Sequence, residues 1–295
     1  MNLKSEISNL KSPRRLAPTA KWNAAAYAAN SAVQQNWARE LIAKLKLRGD
    51  ERILDVGCGD GKVTAELARA VPHGSVLGLD ASAEMIAFAK KTFPASKFPN
   101  LKFQTGDARK IQTPHTPALS PRRGEGEDCE NFDLVFSNSA LHWVDDHQKF
   151  LAGAAAVLKS GGRLAVSCGG KGNAHEVFLA IRPVMRLKRW REFFRQMPLP
   201  YFFYAPADYE KWLPKSGFKI RSLKLAPKGV TYDGAAGLAT WLTTTWLPFT
   251  QRVRENLREE FIVAVTQRYL AKHPPDVAGK IHVRMVRLEI EATKV

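Results

Sequence analysis

The residues of this 295-residue chain most able to do chemistry lie in ERILDVGCGDGKVTAELA, Glu51 to Ala68. Asp55, Gly57, Gly59 and Gly61 alternate there, with Cys58 and Asp60 between them. Glycines at this spacing free the backbone for a sharp turn and let its amides approach a ligand closely. Two more acids end apolar runs. Asp80 closes GSVLGLD and precedes Ala81, and Asp107 sits in GDA before Ala108. Asn138 closes FDLVFSN, and His142 and Trp143 follow in SALHW. A glycine turn of this kind could serve a dinucleotide, a triphosphate or a third kind of ligand. A triphosphate loop needs GxxxxGK followed by Ser or Thr. Here Val56 stands where the first glycine belongs and Val63 follows Lys62. A dinucleotide loop needs GxGxxG. Lys62 stands at its third glycine, which weakens that reading without closing it.

The elements that must position these residues are legible from periodicity. Residues 22–47 have apolar residues at helical spacing and are rich in Ala and Leu, so one helix is expected. ERILDVG, GSVLGLD, LKFQTGDA, FDLVFSNSALHWV and RLAVSC read as five strands. GKVTAELARAV, SAEMIAFAKKTF and HQKFLAGAAAVLKSGG read as helices between them, with Ser82 a natural N-cap. Strands alternating with helices predict βαβ units and a parallel sheet with helices on both faces. Farther on, FLAIRPVMRLKRWREFFRQM reads as a basic helix centred on 182–195. ADYEKWLPKSGF and RENLREEFIVAVTQRYLAKH read as helices, and KIRSLKLAP and IHVRMVRLEIEATKV as strands. The simplest arrangement adds these two strands to the same sheet. The expected fold is α/β, a doubly wound, mostly parallel seven-stranded sheet with helical cap insertions. All the candidate residues then fall at carboxyl ends of strands, where open sheets bind ligands.

The Asp-x-Gly-x-Gly-x-Gly loop, the acid ending the second strand, GDA, SNSALHW and LKSGGRLAVS occur in order and in phase. Together they resemble class I S-adenosylmethionine-dependent methyltransferases. The resemblance implies S-adenosylmethionine as cofactor, with Asp55 bearing on its ammonium and Gly57, Cys58, Gly59 and Gly61 passing under its amino-acid tail. It places Asp80 and Ala81 at the ribose, Asp107 and Ala108 at the adenine, and Asn138 close to the cofactor. SNSALHW lacks the Asn/Asp-Pro-Pro-aromatic pattern of enzymes that methylate exocyclic or amide nitrogens. LHW, together with YAANSAVQ, is similar instead to the carboxyl methyltransferases of small acids. That group spans the trans-aconitate, malonyl-carrier-protein and juvenile hormone acid types, and WLTTTWLPF with REEFIVAVTQRYL is most like the trans-aconitate type.

The implied acceptor is a small carboxylic acid. A carboxylate is ionised at neutral pH, so no general base is required. Gln34 and His142 are expected to aim it and Trp143 to wall the site. An acidic acyl carrier protein bearing a malonyl ester is an alternative acceptor, drawn by the basic helix. From another class, a non-catalytic cofactor- or RNA-binding protein fits the net charge of +17, although no nucleic-acid module is evident.

Composition bounds the rest. Cys58, Cys129 and Cys168 are far apart with no CxxC pair, so neither a disulfide framework nor a metal site is expected, and a reducing, cytoplasmic location follows. No apolar run approaches the roughly 18 residues of a membrane span. The expected organisation is a basic, disordered tail over 1–21 and one domain over 22–295. Within it, 22–170 is a cofactor-binding core carrying a polar insertion at 112–130, and 171–295 holds a substrate cap and the last two strands. A monomer is the default.

Overall fold

A run as short and apolar as ILDV satisfies its backbone inside a sheet. In the computed structural model, which describes residues 22–111 and 132–295, β1 (Arg52–Val56) lies between β2 (Ser75–Asp80) and β4 (Phe132–Asn138), parallel to both. The expected tail over 1–21 and the insertion over 112–130 lie outside the described residues. β3 (Leu101–Thr105) extends the sheet beyond β2, and β5 (Leu158–Gly169) extends it beyond β4. β7 (Lys280–Lys294) runs antiparallel between β5 and β6 (Phe218–Asp233). The order is β3-β2-β1-β4-β5-β7-β6, the seven-stranded, mostly parallel, doubly wound sheet that the alternation predicts. Strand order reverses between β1 and β4, and the crevice at such a reversal is where α/β sheets take ligands.

Helices cover both faces. On one, α1 (Ala24–Asn30) leads into α2 (Ala32–Leu45), which packs with α3 (Lys62–Ala70) and α4 (Ala83–Thr92). There Leu41, Leu67 and Ile86 bury against Ile53 and Leu134. On the other, α5 (His147–Val157) brings Phe150 and Leu151 onto Leu54 and Val135. A further core lies over the first half of β7. It is built by α6 (His175–Arg186), with α7 (Pro206–Lys215) flanking the sheet through Tyr209 and Leu213, and by α8 (Gly234–Thr245), α9 (Leu247–Thr250) and α10 (Arg258–Leu270). Phe178, Leu242, Phe249 and Phe261 join Ile281 and Val283 there. Each such side chain, fully buried, contributes about 1.5–3 kcal/mol. All of these helices follow residue 170.

Two expected helices are broken, and the first break serves the crevice. The helix over 22–47 divides at Ser31, whose hydroxyl turns away to donate to the buried Asp60 carboxylate at 3.1 Å. The break sets Tyr27 and Gln34 at one chamber. The basic helix over 182–195 ends at Arg186 and resumes only as a single 3-10 turn, Arg191–Phe194. Pro183 removes a backbone donor in the last turn of α6. Trp190 and Phe194 then turn inward onto the Phe261 ring instead of continuing a solvated face. Of the cations that were to form that face, Arg189 pairs with Glu260, while Arg191 and Arg195 approach Glu192.

Candidate functional site

The turn after β1 has backbone geometry that only glycine adopts without strain. Gly57 lies at φ +78°, and its amide donates to Leu79 O at 2.7 Å. A Cβ there would stand 2.1 Å from the Ala140 Cβ. At Gly59, φ +54°, a Cβ would meet nothing nearer than the Tyr27 ring at 4.0 Å, so the missing side chain leaves open space above the turn. Gly61, φ +81°, starts α3 packed against Phe103 and Ala89.

The turn floors a chamber of about 50 Å³ lined by Tyr27, Gln34, Asp55, Gly59, Asp60 and Asn138, among others. Of the expected cofactor residues, Asp55, Gly57, Cys58, Gly59 and Asn138 come together in this lining. Cys58 contributes its backbone, since its thiol is buried beside Gly78. Asp80 joins through the turn: one oxygen accepts from the Gly59 amide at 2.9 Å and the other from Ser82 N at 2.8 Å. Each oxygen keeps a lone pair for a ligand hydroxyl. Ala81, Asp107 and Ala108 follow β2 and β3 but line neither this chamber nor the one beyond it. The Asp107 carboxylate is forked by Arg109, with Nη2 at 2.6 Å from Oδ2 and Nε at 3.0 Å from Oδ1. That guanidinium holds Asp107 below the usual carboxylate range and also reaches Asp145 at 2.9 Å.

The chamber is electronegative. Burial pushes the Asp55 carboxyl up to about 7; Thr64 Oγ1, donating at 2.8 Å, offsets part of this, and the Asp80 charge adds to it. Burial likewise raises Asp80. Among the described residues, Asp55 and Asp60 line it with one cation, Lys62, whose Nζ lies 3.7 Å from Asp60, and Asp80 stands beside the turn. A ligand bearing positive charge restores the balance.

A second chamber, of about 80 Å³, shares Tyr27, Gln34 and Ser139 with the first. At the boundary, the buried Gln34 Oε1 and Ser139 Oγ have no hydrogen-bond partner. Ser139 also holds φ +59° where β4 ends, its amide tied to Ser167 O at 2.8 Å. Orphaned groups and strained backbone together mark a place that a ligand completes. His142 and Trp143, both expected in the site, line this chamber. The His142 Nδ1 accepts from the Gly169 amide at 3.3 Å, so the proton sits on Nε2. Burial, with the Arg287 charge, lowers its pKa to about 3. It is therefore a neutral donor, not a base. Behind it, His147 donates from Nε2 to Leu141 O at 2.7 Å and accepts from the Tyr209 hydroxyl at 2.5 Å, which clamps the Leu141–Trp143 turn.

Sequence reading misses one residue of consequence. Arg287, on β7, is 3% exposed and lines the second chamber. Its Nη2 donates to Asn138 Oδ1 at 3.2 Å and to Ser167 O at 2.5 Å, its Nε donates to Ser167 Oγ at 3.2 Å, and the guanidinium lies 4.6 Å from the Trp37 ring centroid. No carboxylate pairs with it among the described residues. Burial lowers its pKa to about 10, so it is charged at neutral pH. The signal was present in VRLEIE, where Arg287, Glu289 and Glu291 alternate with the apolar Val286, Leu288 and Ile290 and so share one face of the strand. Asn138 spends its amide on this arrangement, since Nδ2 donates to Gln34 O at 2.9 Å while Oδ1 receives Arg287.

Among the described residues, no group of three or more His, Cys, Asp or Glu is placed to hold a metal ion, and no helix is long and apolar enough to cross a membrane. A methyltransferase-domain family profile matches residues 47–192. A trans-aconitate 2-methyltransferase of Rhodopseudomonas palustris is 28% identical over 93% of this chain and 100% of its own length. An uncharacterized methyltransferase of Schizosaccharomyces pombe is 31% identical over 69% of this chain and 72% of its own. Among solved structures, the YcgJ protein of Bacillus subtilis superimposes with a TM-score of 0.55 at 17% identity, covering 88% of this chain and 98% of that one. A Haemonchus contortus phosphoethanolamine N-methyltransferase 2, solved with S-adenosylhomocysteine, gives 0.52 at 17% identity over 88% of this chain and 52% of its own. With its seven-stranded fold and glycine turn, and with these relatives, the chain belongs to the S-adenosylmethionine-dependent methyltransferases.

Proposed function

We propose that this enzyme binds S-adenosylmethionine over the Gly57–Gly61 turn and O-methylates the carboxylate of a small organic acid held in the adjoining chamber. The observation that carries the acceptor is Arg287, a buried guanidinium with no carboxylate partner among the described residues, in a chamber that abuts the cofactor turn. The residues around the turn fit the cofactor. Three acids around one lysine suit its ammonium and sulfonium charges, and the space over Gly59 admits its amino-acid tail. When bound, the cofactor supplies an electrophilic methyl group.

The protein's own tasks are orientation and exclusion of water. Arg287 and the His142 Nε2–H are donors for the acid's oxygens. The unpartnered Gln34 and Ser139 groups mark the boundary that the methyl group crosses. Holding reacting atoms in line contributes roughly 7–11 kcal/mol at best. No residue takes a proton, because the acceptor oxygen is already ionised. The names of the curated relatives place trans-aconitate among the acids to offer.

This reading fixes a pH profile. His142 is uncharged from about pH 4 upward, and the acceptor acid is ionised above about pH 5. At saturating cofactor, kcat is therefore expected to be flat between about pH 6 and 9. A kcat that climbed about tenfold per pH unit through this range would show that an acceptor proton must be removed, which excludes a carboxylate.

A further inference from the structure

Among the described residues, the acceptor chamber carries one positive charge and walls of aromatic rings. Arg287 is the only ionised side chain in its lining among the described residues. Trp22, Tyr27, Trp37, Trp143, Tyr201 and Trp241 are among the walls. Trp143 lies 4.7 Å from Tyr201, and Tyr201 stacks on Phe203 at 5.4 Å with 7° between the planes. Such a slot takes a flat, apolar body well. It takes a polyanion badly, because a second or third carboxylate would be buried there without a counter-charge.

The space continues. A third chamber of about 270 Å³, between α2 and the β6–α8 segment, shares Gln34, Trp37, Trp241 and Met285 with the acceptor chamber. Val33, Val230 and Tyr232 extend its apolar wall, and Tyr232 stacks on Trp241 at 5.2 Å. The one ionised group in its lining among the described residues is Asp233, an exposed acid at the rim that already pairs with Lys280. That sign of charge is wrong for a distant carboxylate.

We infer that the acceptor is a monocarboxylic acid with an aromatic or similarly flat apolar body, its carboxylate on Arg287 and its body directed past Trp37 and Trp241 into the chamber against β6 and α8. This rests on the carboxyl-methylation reading and narrows it: the site is built for one carboxylate, not for a di- or tricarboxylate.

The test is ligand binding to the full chain saturated with S-adenosylhomocysteine, by calorimetry and by quenching of tryptophan fluorescence. The probes are cinnamate, 3-phenylpropanoate, cinnamamide, trans-aconitate and citrate. Cinnamate or 3-phenylpropanoate is expected to bind at least about tenfold more tightly than trans-aconitate or citrate, and cinnamate at least about tenfold more tightly than its uncharged amide. Tricarboxylates that bind as tightly as the aryl acids would overturn the inference. So would aryl acids that do not bind, or an amide equal to its acid. Binding and chemistry separate the two claims. If aryl acids bind with this preference yet yield no methyl ester, the carboxyl-methylation reading falls and the selectivity of the chamber stands.

Discussion

Replacing Arg287 with methionine is expected to lower kcat/KM for the acid by about 100- to 1000-fold, while the KM for S-adenosylmethionine changes by less than about threefold. Removing one partner of a buried charge pair costs about 2–5 kcal/mol, and each 1.4 kcal/mol is about tenfold. Methionine fills much of the same volume and leaves the cofactor turn untouched. It also frees Asn138 Oδ1 and the Ser167 oxygens, so a loss of stability of roughly 1–3 kcal/mol accompanies the kinetic effect. Arg287→Lys separates the two effects. It keeps the charge but loses the planar fork, so part of the rate returns while the bonds to Asn138 and Ser167 are not fully rebuilt. A folded Arg287→Met enzyme with unchanged kcat/KM would remove the guanidinium from acceptor binding.

Asp55→Asn is expected to stabilise the free enzyme at alkaline pH and to cripple it as a cofactor binder. In the folded state the Asp55 carboxyl holds its proton up to about pH 7, against an ordinary value of 3.8. The unfolded chain loses that proton first, so stability falls as pH rises from about 4 through about 7 and levels off above. Some three pKa units at about 1.4 kcal/mol each give up to about 4 kcal/mol lost by pH 8. Asparagine keeps an acceptor for Thr64 and does not titrate. The variant is therefore expected to match the wild type near pH 4 and to exceed it by up to about 4 kcal/mol at pH 8. Ionised Asp55 is the partner proposed for the cofactor's ammonium. Wild-type cofactor affinity should thus rise between about pH 6 and 8, and that rise should vanish in the variant. Denaturant unfolding and cofactor titration at pH 5 and 8 measure both. Wild-type stability that is flat across this range would show that Asp55 is ionised in the free fold at neutral pH.

The glycine turn and the sheet were legible because they are local demands. Gly57 and Gly59 answer to backbone angles, and the five parallel strands answer to short apolar runs, although β5 begins at Leu158, inside the stretch read as a helix end. The acceptor chamber was not legible in the same way. Its aromatic walls come from separate segments at Trp22, Trp37, Trp143, Tyr201 and Trp241, and each alone reads as core. Arg287 arrives only because β7 inserts antiparallel between β5 and β6, so its place depends on a pairing that no local pattern encodes. His142 was visible as a candidate, but its neutral state depends on the Gly169 amide and on burial beside Arg287. The two broken helices have the same origin. Ser31 and Trp190 leave helical register for tertiary partners, Asp60 in one case and Phe261 in the other.

The central claim is that the methyl group goes to a carboxylate oxygen. Its most direct test incubates the enzyme with methyl-labelled S-adenosylmethionine and a panel of aryl monocarboxylic acids, trans-aconitate and citrate, then exposes the products to mild alkali. Label on an acid that is released as methanol is the predicted result, because esters hydrolyse in base. Label that survives alkali, on nitrogen or carbon, would contradict the claim.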